Sequence, residues 1–519
     1  MTKQELANKA RELKTSNPQE AYQLCLKIWN EHKEVFNNYD AMLTIGLARK
    51  LEDTDFNLIY EILQTFPEDA IVLGNGGWYL FDKFIKNKQP NDINNNLSQI
   101  ERFLNIVKQK NLSEEDSYPC PLTISNFKVV DALANNVFNA SRILDFLKRL
   151  NPEYLSKTPE AYEHPTRGTI EKMSPFEKYY SYKTKALLKL ERYDECKEAC
   201  DIAFQNIDKY HYDNQIWFPM RKALCLEHLG AKDESEAMFK ELIESREGSS
   251  KWFLFRDLSQ LYFDQDDFEK AWKFSIDSAL LGNEAKFLIK LYYLQARILF
   301  KLGRTPEGKI FAEMIASILK ENEWRVHQNY FKIFNYYQID LSKALGVRKQ
   351  QNLLNIFLAN EKYKDRIEVN GIITTIHNNG KSGFIKDDGG QQYFFGKGDL
   401  VKKNQNLELL HNAKVVFYAG KKTERSISVD AVKIIELAKS EVVKSDLDKY
   451  VGKTDSGRIT KVDDIGIFVT DIYDGNFGLI HKSKLPIDFK ETYQKGELLE
   501  VIVARINKQG KLDLKIAIS

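Results

Sequence analysis

The apolar residues of this chain change their spacing at Arg366. Up to about residue 360 they recur every three or four positions, the period of an α-helix that buries one face. From Ile367 onward, Val369, Ile372, Ile373 and Ile376 open a stretch rich in β-branched residues and broken by Gly, Asn and Asp, the signature of short strands and tight turns. One backbone segment cannot serve both periods. The break therefore divides the 519 residues into a helical part, 1–360, and a strand part that begins at Arg366.

Within the helical part a pattern repeats. A helix end rich in Ala and Leu, a short turn and a new helix run from Ala186 to Ala199, and again over 223–237, 261–272 and 296–308. The equivalent positions Cys196, Ser235, Ala271 and Gly308 lie 39, 36 and 37 residues apart, and a weaker match joins Ala21 to Leu58 at 37. Small residues such as Ala186, Ala199, Ala223 and Ala237 let paired helices approach closely, and Glu191-Arg192 and Gly230-Ala231 are expected to reverse the chain. This repeat resembles the tetratricopeptide repeat, most clearly over 176–320. The resemblance implies an α-solenoid whose concave surface recruits a protein partner. Residues 85–120 and 150–175 are expected to be longer loops or irregular repeats. Tyr179, Tyr180, Tyr182, Trp217 and Trp252 are read as core, with ligand contact as the alternative.

The strand part holds two segments joined by a charged connector, 437–449, expected to form one short helix. In the last segment, 450–519, the ordered signals are Val451-Gly452, Gly457-Arg458-Ile459-Thr460-Lys461-Val462, Asp464-Ile465-Gly466-Ile467-Phe468-Val469, Gly478-Leu479-Ile480-His481-Lys482-Ser483, Tyr493-Gln494-Lys495-Gly496 and Gly510-Lys511-Leu512-Asp513-Leu514. Strand alternation puts Phe468 on the face opposite Ile467 and Val469, where an exposed ring can stack on a base for roughly 1–3 kcal/mol. His481 can stack or donate to a phosphate, and Lys482, Lys484 and Lys511 supply charge. The segment resembles an S1-like RNA-binding domain, a five-stranded OB barrel. That resemblance implies RNA contact at Ile465, Phe468, His481, Asn507 and Lys511. The first of these positions is usually aromatic, the fourth acidic and the fifth arginine.

Segment 366–436 opens with Gly371-Ile372-Ile373-Thr374-Thr375-Ile376, then carries Gly383-Phe384-Ile385 and Tyr393-Phe394-Phe395. It resembles a cold-shock-like OB barrel. Thr375, Ser382 and Gly396 stand where that family has a tryptophan, an aromatic residue and a histidine. Phe384 and Phe394 remain as stacking residues. Lys381, with Lys386, Lys397, Lys402, Lys403, Lys421, Lys422 and Arg425, offsets part of the loss. The expected fold class is thus multidomain: an all-α helical-repeat solenoid followed by two small all-β OB-fold barrels.

The formal net charge is +2, of which the last 154 residues hold about +4 and the rest about −2. So small a surplus does not hold a polyanion, and binding must come from local clustering and stacking. The five cysteines lack paired spacing and are read as reduced thiols, with metal at Cys196 and Cys200 the minor alternative. His164, His211, His228 and His327 are isolated. No phosphate-cradling loop, metalloprotease helix, nucleophile elbow or carboxylate cluster is found, so neither enzyme activity nor a cofactor is expected. The N-terminus lacks the apolar stretch of a signal peptide and no run reaches membrane-spanning length. Together these features predict a cytoplasmic, bacterial, non-catalytic adaptor that binds single-stranded RNA and no membrane. A protein scaffold with structural barrels and a single-stranded DNA binder are the alternatives. Of the two barrels, the last is expected to contribute more to binding.

Overall fold

The computed structural model of the chain describes residues 1–52, 54–107, 120–135, 137–166, 168–282, 284–377, 380–400, 411–422, 427–436, 449–473, 475–486, 488–506 and 512–517. They form two compact units, Met1–Lys362 and Tyr363–Ser519.

The first unit is a solenoid of stacked helix pairs. Pro175–Lys189 turns back into Tyr193–Asn206, Asn214–His228 into Lys232–Glu244, Trp252–Asp264 into Phe268–Leu281, and Ile289–Lys301 into Thr305–Glu321. Every reversal uses one residue in the left-handed region: Glu191 (φ 58°), Gly230 (87°), Asp266 (58°) and Gly303 (72°). The next N–H then donates to the carbonyl five residues back, Arg192 to Leu187 (3.0 Å), Ala231 to Leu226 (2.9 Å), Asp267 to Tyr262 (3.0 Å) and Arg304 to Leu299 (2.8 Å). That bond satisfies a carbonyl the helix end would leave open.

The repeat positions read from the sequence explain how closely the paired helices pack. Cys196, Ser235, Ala271 and Gly308 are each the fourth residue of the second helix of a pair, and each is buried. The Cys196 thiol donates to the Thr184 carbonyl (3.2 Å) and the Ser235 hydroxyl to the Ala223 carbonyl (2.8 Å). In the next pair the direction reverses, and Ser259 donates to the Ala271 carbonyl (2.7 Å). At Gly308 an added Cβ would lie 2.1 Å from the Tyr337 hydroxyl, which itself donates to the Ala296 carbonyl (2.8 Å). At these buried positions the neighbouring helices leave room only for a small side chain, or none.

Of the two irregular stretches, one departs from expectation. Residues 150–175 contain a β-hairpin, β1 (Glu160–His164) and β2 (Gly168–Lys172), with Glu160 opposite Lys172 and His164 opposite Gly168. Its strands are five residues long and mostly polar, so they carry no apolar alternation to read. The stretch 85–120 holds the helices Pro90–Asn95 and Leu97–Leu104, and 108–119 lie outside the described residues. Of the helical aromatics, Tyr179 and Tyr180 are buried, and Trp217 stacks on Phe253 with centroids 4.8 Å apart. Tyr182 instead donates to Asp131.

All five cysteines are buried and none is in a disulfide. Among the described residues no cluster of three or more His, Cys, Asp or Glu has the geometry to hold a metal ion, and no helix is long and apolar enough to cross a membrane. One titration is built into the solenoid. Burial, then the nearby Asp264 and Asp257, push the Glu227 carboxyl up from 4.5 to about 7, against the opposing pull of Lys232. The folded chain therefore holds a proton there that the unfolded chain releases, so Glu227 favours folding below about 4.5 and costs stability as the pH rises toward 7. Glu227→Gln is expected to flatten the fall in melting temperature of the first unit between pH 5 and 7. An unchanged slope would assign the titration elsewhere.

The second unit contains two five-stranded closed barrels. The first is built from β3 (Glu368–Ile376), β4 (Ser382–Asp387), β5 (Gln392–Gly396), β6 (Lys414–Lys422) and β7 (Ile427–Glu436). The second is built from β8 (Thr454–Val462), β9 (Gly466–Ile472), β10 (Asn476–His481), β11 (Leu498–Ile506) and β12 (Leu512–Ile516). The closed orders, β3-β4-β5-β7-β6 and β8-β9-β10-β12-β11, are the same when strands are counted from each barrel's start. In both, the third and fifth strands run parallel and the other neighbours antiparallel. Both first strands carry an irregularity at the matching place, between Ile373 and Thr375 and between Ile459 and Lys461. Ile373, Ile385, Phe395 and Phe417 fill one core, and Ile459, Ile467, Val469 and Val501 the other. The connector expected at 437–449 lies, but for Lys449, outside the described residues.

Candidate nucleic-acid interface

Alternation along each second strand buries one set of side chains and turns the other outward. Ile385 in β4, and Ile467 and Val469 in β9, are buried, which leaves Phe384 and Phe468 half-buried on the outer faces. Register sets their neighbours. Across the first barrel, Thr375, Phe384, Phe394 and Ser428 stand side by side on β3, β4, β5 and β7. Across the second, Lys461, Phe468, Leu479 and Asp513 occupy the equivalent row on β8, β9, β10 and β12. Beside these rows, Ser382 faces Gly396 in one barrel and Gly466 faces His481 in the other. His481 therefore stands where the first barrel has Gly396, the position at which the cold-shock resemblance led us to expect a histidine.

The second barrel frames one aromatic ring with cations. The Lys461 ammonium lies 5.7 Å from the Phe468 ring centroid and pairs with Asp463 at 2.7 Å. At the far end of the row, Asp513 holds Lys484 at 2.7 Å and Arg505 at 2.8 Å. Burial works against the ionised form of Asp513, but these two cations outweigh it and keep the carboxyl below its usual range. Lys482 is exposed and makes no ion pair among the described residues.

Two turns bring the remaining candidates together. The Ile465 N–H donates to Asp463 Oδ1 (2.9 Å), and the Lys482 N–H donates to the Ile465 carbonyl (2.9 Å). Ile465, 52% exposed, and the exposed His481 and Lys482 thus lie on adjoining segments. The Ser483 N–H donates to His481 Nδ1 (3.3 Å), which places the ring proton on Nε2 as an outward donor for a phosphate or base. Asn507 and Lys511 lie outside the described residues.

On the first barrel Phe384 and Phe394 pack edge to face with centroids 5.7 Å apart. A third ring, absent from the sequence expectations, completes the cluster: His377 lies 5.6 Å from Phe384 and 6.2 Å from Phe394, its Nδ1 2.8 Å from the Ser382 hydroxyl. Lys381 is exposed at the turn before β4, and its carbonyl accepts from the Lys397 N–H at 2.7 Å. Lys386 and Lys397 are exposed too. Lys402, Lys403 and Arg425, and the side chains of Lys421 and Lys422, lie outside what is described. Lys461 and Arg505, on the face of the second barrel, were also absent from the contacts expected from the sequence. Only pairing across strands reveals them, Lys461 through Phe468 and Arg505 through Asp513.

Residues 450–517 match the S1 RNA binding domain. The match indicates RNA binding by this second barrel. Residues 216–345, within the solenoid, match a second family described as a domain of unknown function (DUF7017). Polyribonucleotide nucleotidyltransferases from Legionella pneumophila (strain Corby) and Thermosipho melanesiensis are 38% identical over 69 residues and 36% identical over 67. Each alignment covers 12% of this chain and 9% of the relative, so the chain spans less than a tenth of the length of these curated relatives. Among solved structures, a signal transduction ATPase with numerous domains carrying a tetratricopeptide repeat sensor, from Pyrococcus horikoshii, is 13% identical with a TM-score of 0.34. That alignment covers 68% of this chain and 54% of the other.

Proposed function

We propose that the chain is a non-catalytic adaptor whose barrels hold single-stranded RNA and whose solenoid recruits a protein partner. The observation that carries this reading is the row Lys461, Phe468, Leu479, Asp513, with His481 beside it, in a barrel that matches the S1 family. Phe468 offers a stacking surface. His481 Nε2–H and the ammonium of Lys482 meet the backbone, with Lys461, Lys484 and Arg505 along the face. Phe384, Phe394 and His377 on the first barrel form a second stacking patch, with Lys381 at its edge. Asn507, Lys511 and Ile465 complete the contact set that the S1 resemblance implies. Two faces on one chain raise the effective concentration of a strand at the second once the first has bound.

Salt tests the backbone contacts. Titration of the full chain with an unstructured, labelled oligoribonucleotide should give a logarithmic salt slope of about −2 to −3, for three or four neutralised phosphates at about −0.7 each. Absence of binding even at low salt would remove the proposal and favour a scaffold with structural barrels. The matched deoxyribonucleotide is expected to bind more weakly, and equal affinity would widen the ligand to single-stranded nucleic acid in general.

A further inference from the structure

A cavity of about 380 Å³ lies within the first unit, toward the lower end of the range for small-molecule sites. Phe127, Lys128 and Asp131 line it from the helix Pro121–Asn135, Lys178 and Tyr182 from Pro175–Lys189, and Lys172 from the end of the unexpected hairpin. Its one carboxylate is already engaged: Asp131 accepts from Lys178 Nζ (2.8 Å) and from the Tyr182 hydroxyl (2.7 Å). Lys128 and Lys172 are exposed and make no ion pair among the described residues, so the lining is net positive.

The aromatic part is held in place at a cost. Tyr212, which also lines the cavity, is 62% exposed, and it and Asp213 adopt left-handed backbone, φ 52° and 62°. Non-glycine residues accept that conformation only when the surroundings impose it. Here the buried Glu177 does so from below. It accepts from the His211 N–H (2.7 Å) and from Asn214 Nδ2 (2.9 Å), and lies 2.8 Å from His211 Nδ1, clamping both flanks of the exposed ring.

From this arrangement we propose that the cavity binds a nucleoside monophosphate, with the base against Tyr212 and Tyr182 and the phosphate at Lys128 and Lys172. Planar aromatic walls suit a base. The exposed Lys128, and Lys172, whose ammonium rests 4.4 Å from the Tyr162 ring centroid rather than on a carboxylate, suit a phosphate, and Asp131 retains lone pairs for an exocyclic amine. The volume accommodates one such unit and not an extended chain.

The test is calorimetric titration of adenosine 5′-monophosphate into the full chain carrying Phe468→Ala and His481→Ala, so that strand binding by the second barrel does not enter. Saturable binding at one site per chain is expected, at least tenfold tighter than that of adenosine. Adding Lys128→Gln with Lys172→Gln should weaken it at least tenfold. Tyr212→Ala should do the same and Tyr212→Phe should not, which separates loss of the ring from loss of the loop. No saturable binding at millimolar nucleotide, or binding unchanged by the lysine pair, would overturn the proposal. So would a 5′-phosphorylated hexaadenylate or an acidic hexapeptide that displaces the nucleotide at lower concentration than the nucleotide itself.

Discussion

Phe468→Ala combined with His481→Ala is expected to lower affinity for an unstructured oligoribonucleotide by at least about tenfold. A single base–aromatic stack is worth roughly 1–3 kcal/mol, and each 1.4 kcal/mol is a factor of ten. Both side chains point away from the barrel core, whose apolar residues on the same strands, Ile467, Val469 and Ile480, are fully buried and untouched by the change. The fold should therefore survive, which circular dichroism and a melting curve can verify. Phe384→Ala with Phe394→Ala is expected to cost less. Those two rings spend part of their surface on each other and on His377, whereas Phe468 makes no ring–ring pair among the described residues and has Leu479 and the Lys461 ammonium alongside. Fluorescence anisotropy of the two double variants decides the order. Equal losses, or a larger loss at the first barrel, would move the principal contact to the cluster of three rings.

The second large effect concerns the barrel itself. Gly466 has φ +152°, and a Cβ there would lie 2.0 Å from the Ile480 carbonyl oxygen, a backbone atom that cannot swing aside. Its N–H and carbonyl also close the turn with Asp463, at 3.2 and 3.0 Å. Gly466→Ala thus adds a clash to a backbone conformation that side chains disfavour, and should cost at least about 3 kcal/mol. The second barrel should melt well below its normal temperature and RNA affinity should fall with it. Gly475 supplies the control. It too has positive φ, +80°, yet no atom lies within 4 Å of its added Cβ. Gly475→Ala should cost only about 1–2 kcal/mol. If both variants melt alike, the close approach at Ile480 is not what constrains Gly466.

Much of the framework was legible because it is periodic. The spacing of Cys196, Ser235, Ala271 and Gly308 located the fourth residue of the second helix in four successive pairs, since a close helix contact admits only small residues wherever it recurs. Alternation likewise put Ile467 and Val469 inside and Phe468 outside. Aperiodic features escaped. The hairpin at 160–172 has no buried face to pattern its residues. His377 follows a strand end and gains meaning only because β4 and β5 bring Phe384 and Phe394 beside it.

The sequence by itself determined the succession of a helical part and a strand part, the helix-pair repeat and the outward position of Phe468, because burial imposes a period on residues that are neighbours along the chain. Tertiary structure alone decided the rest. It joined Asp513 to Lys484 and Arg505, set Lys461, Phe468 and Leu479 in one row, and gathered Phe127, Lys178 and Tyr212 around a single cavity. Such groupings depend on strand register and helix stacking between distant segments, and no local pattern records which distant residues will meet.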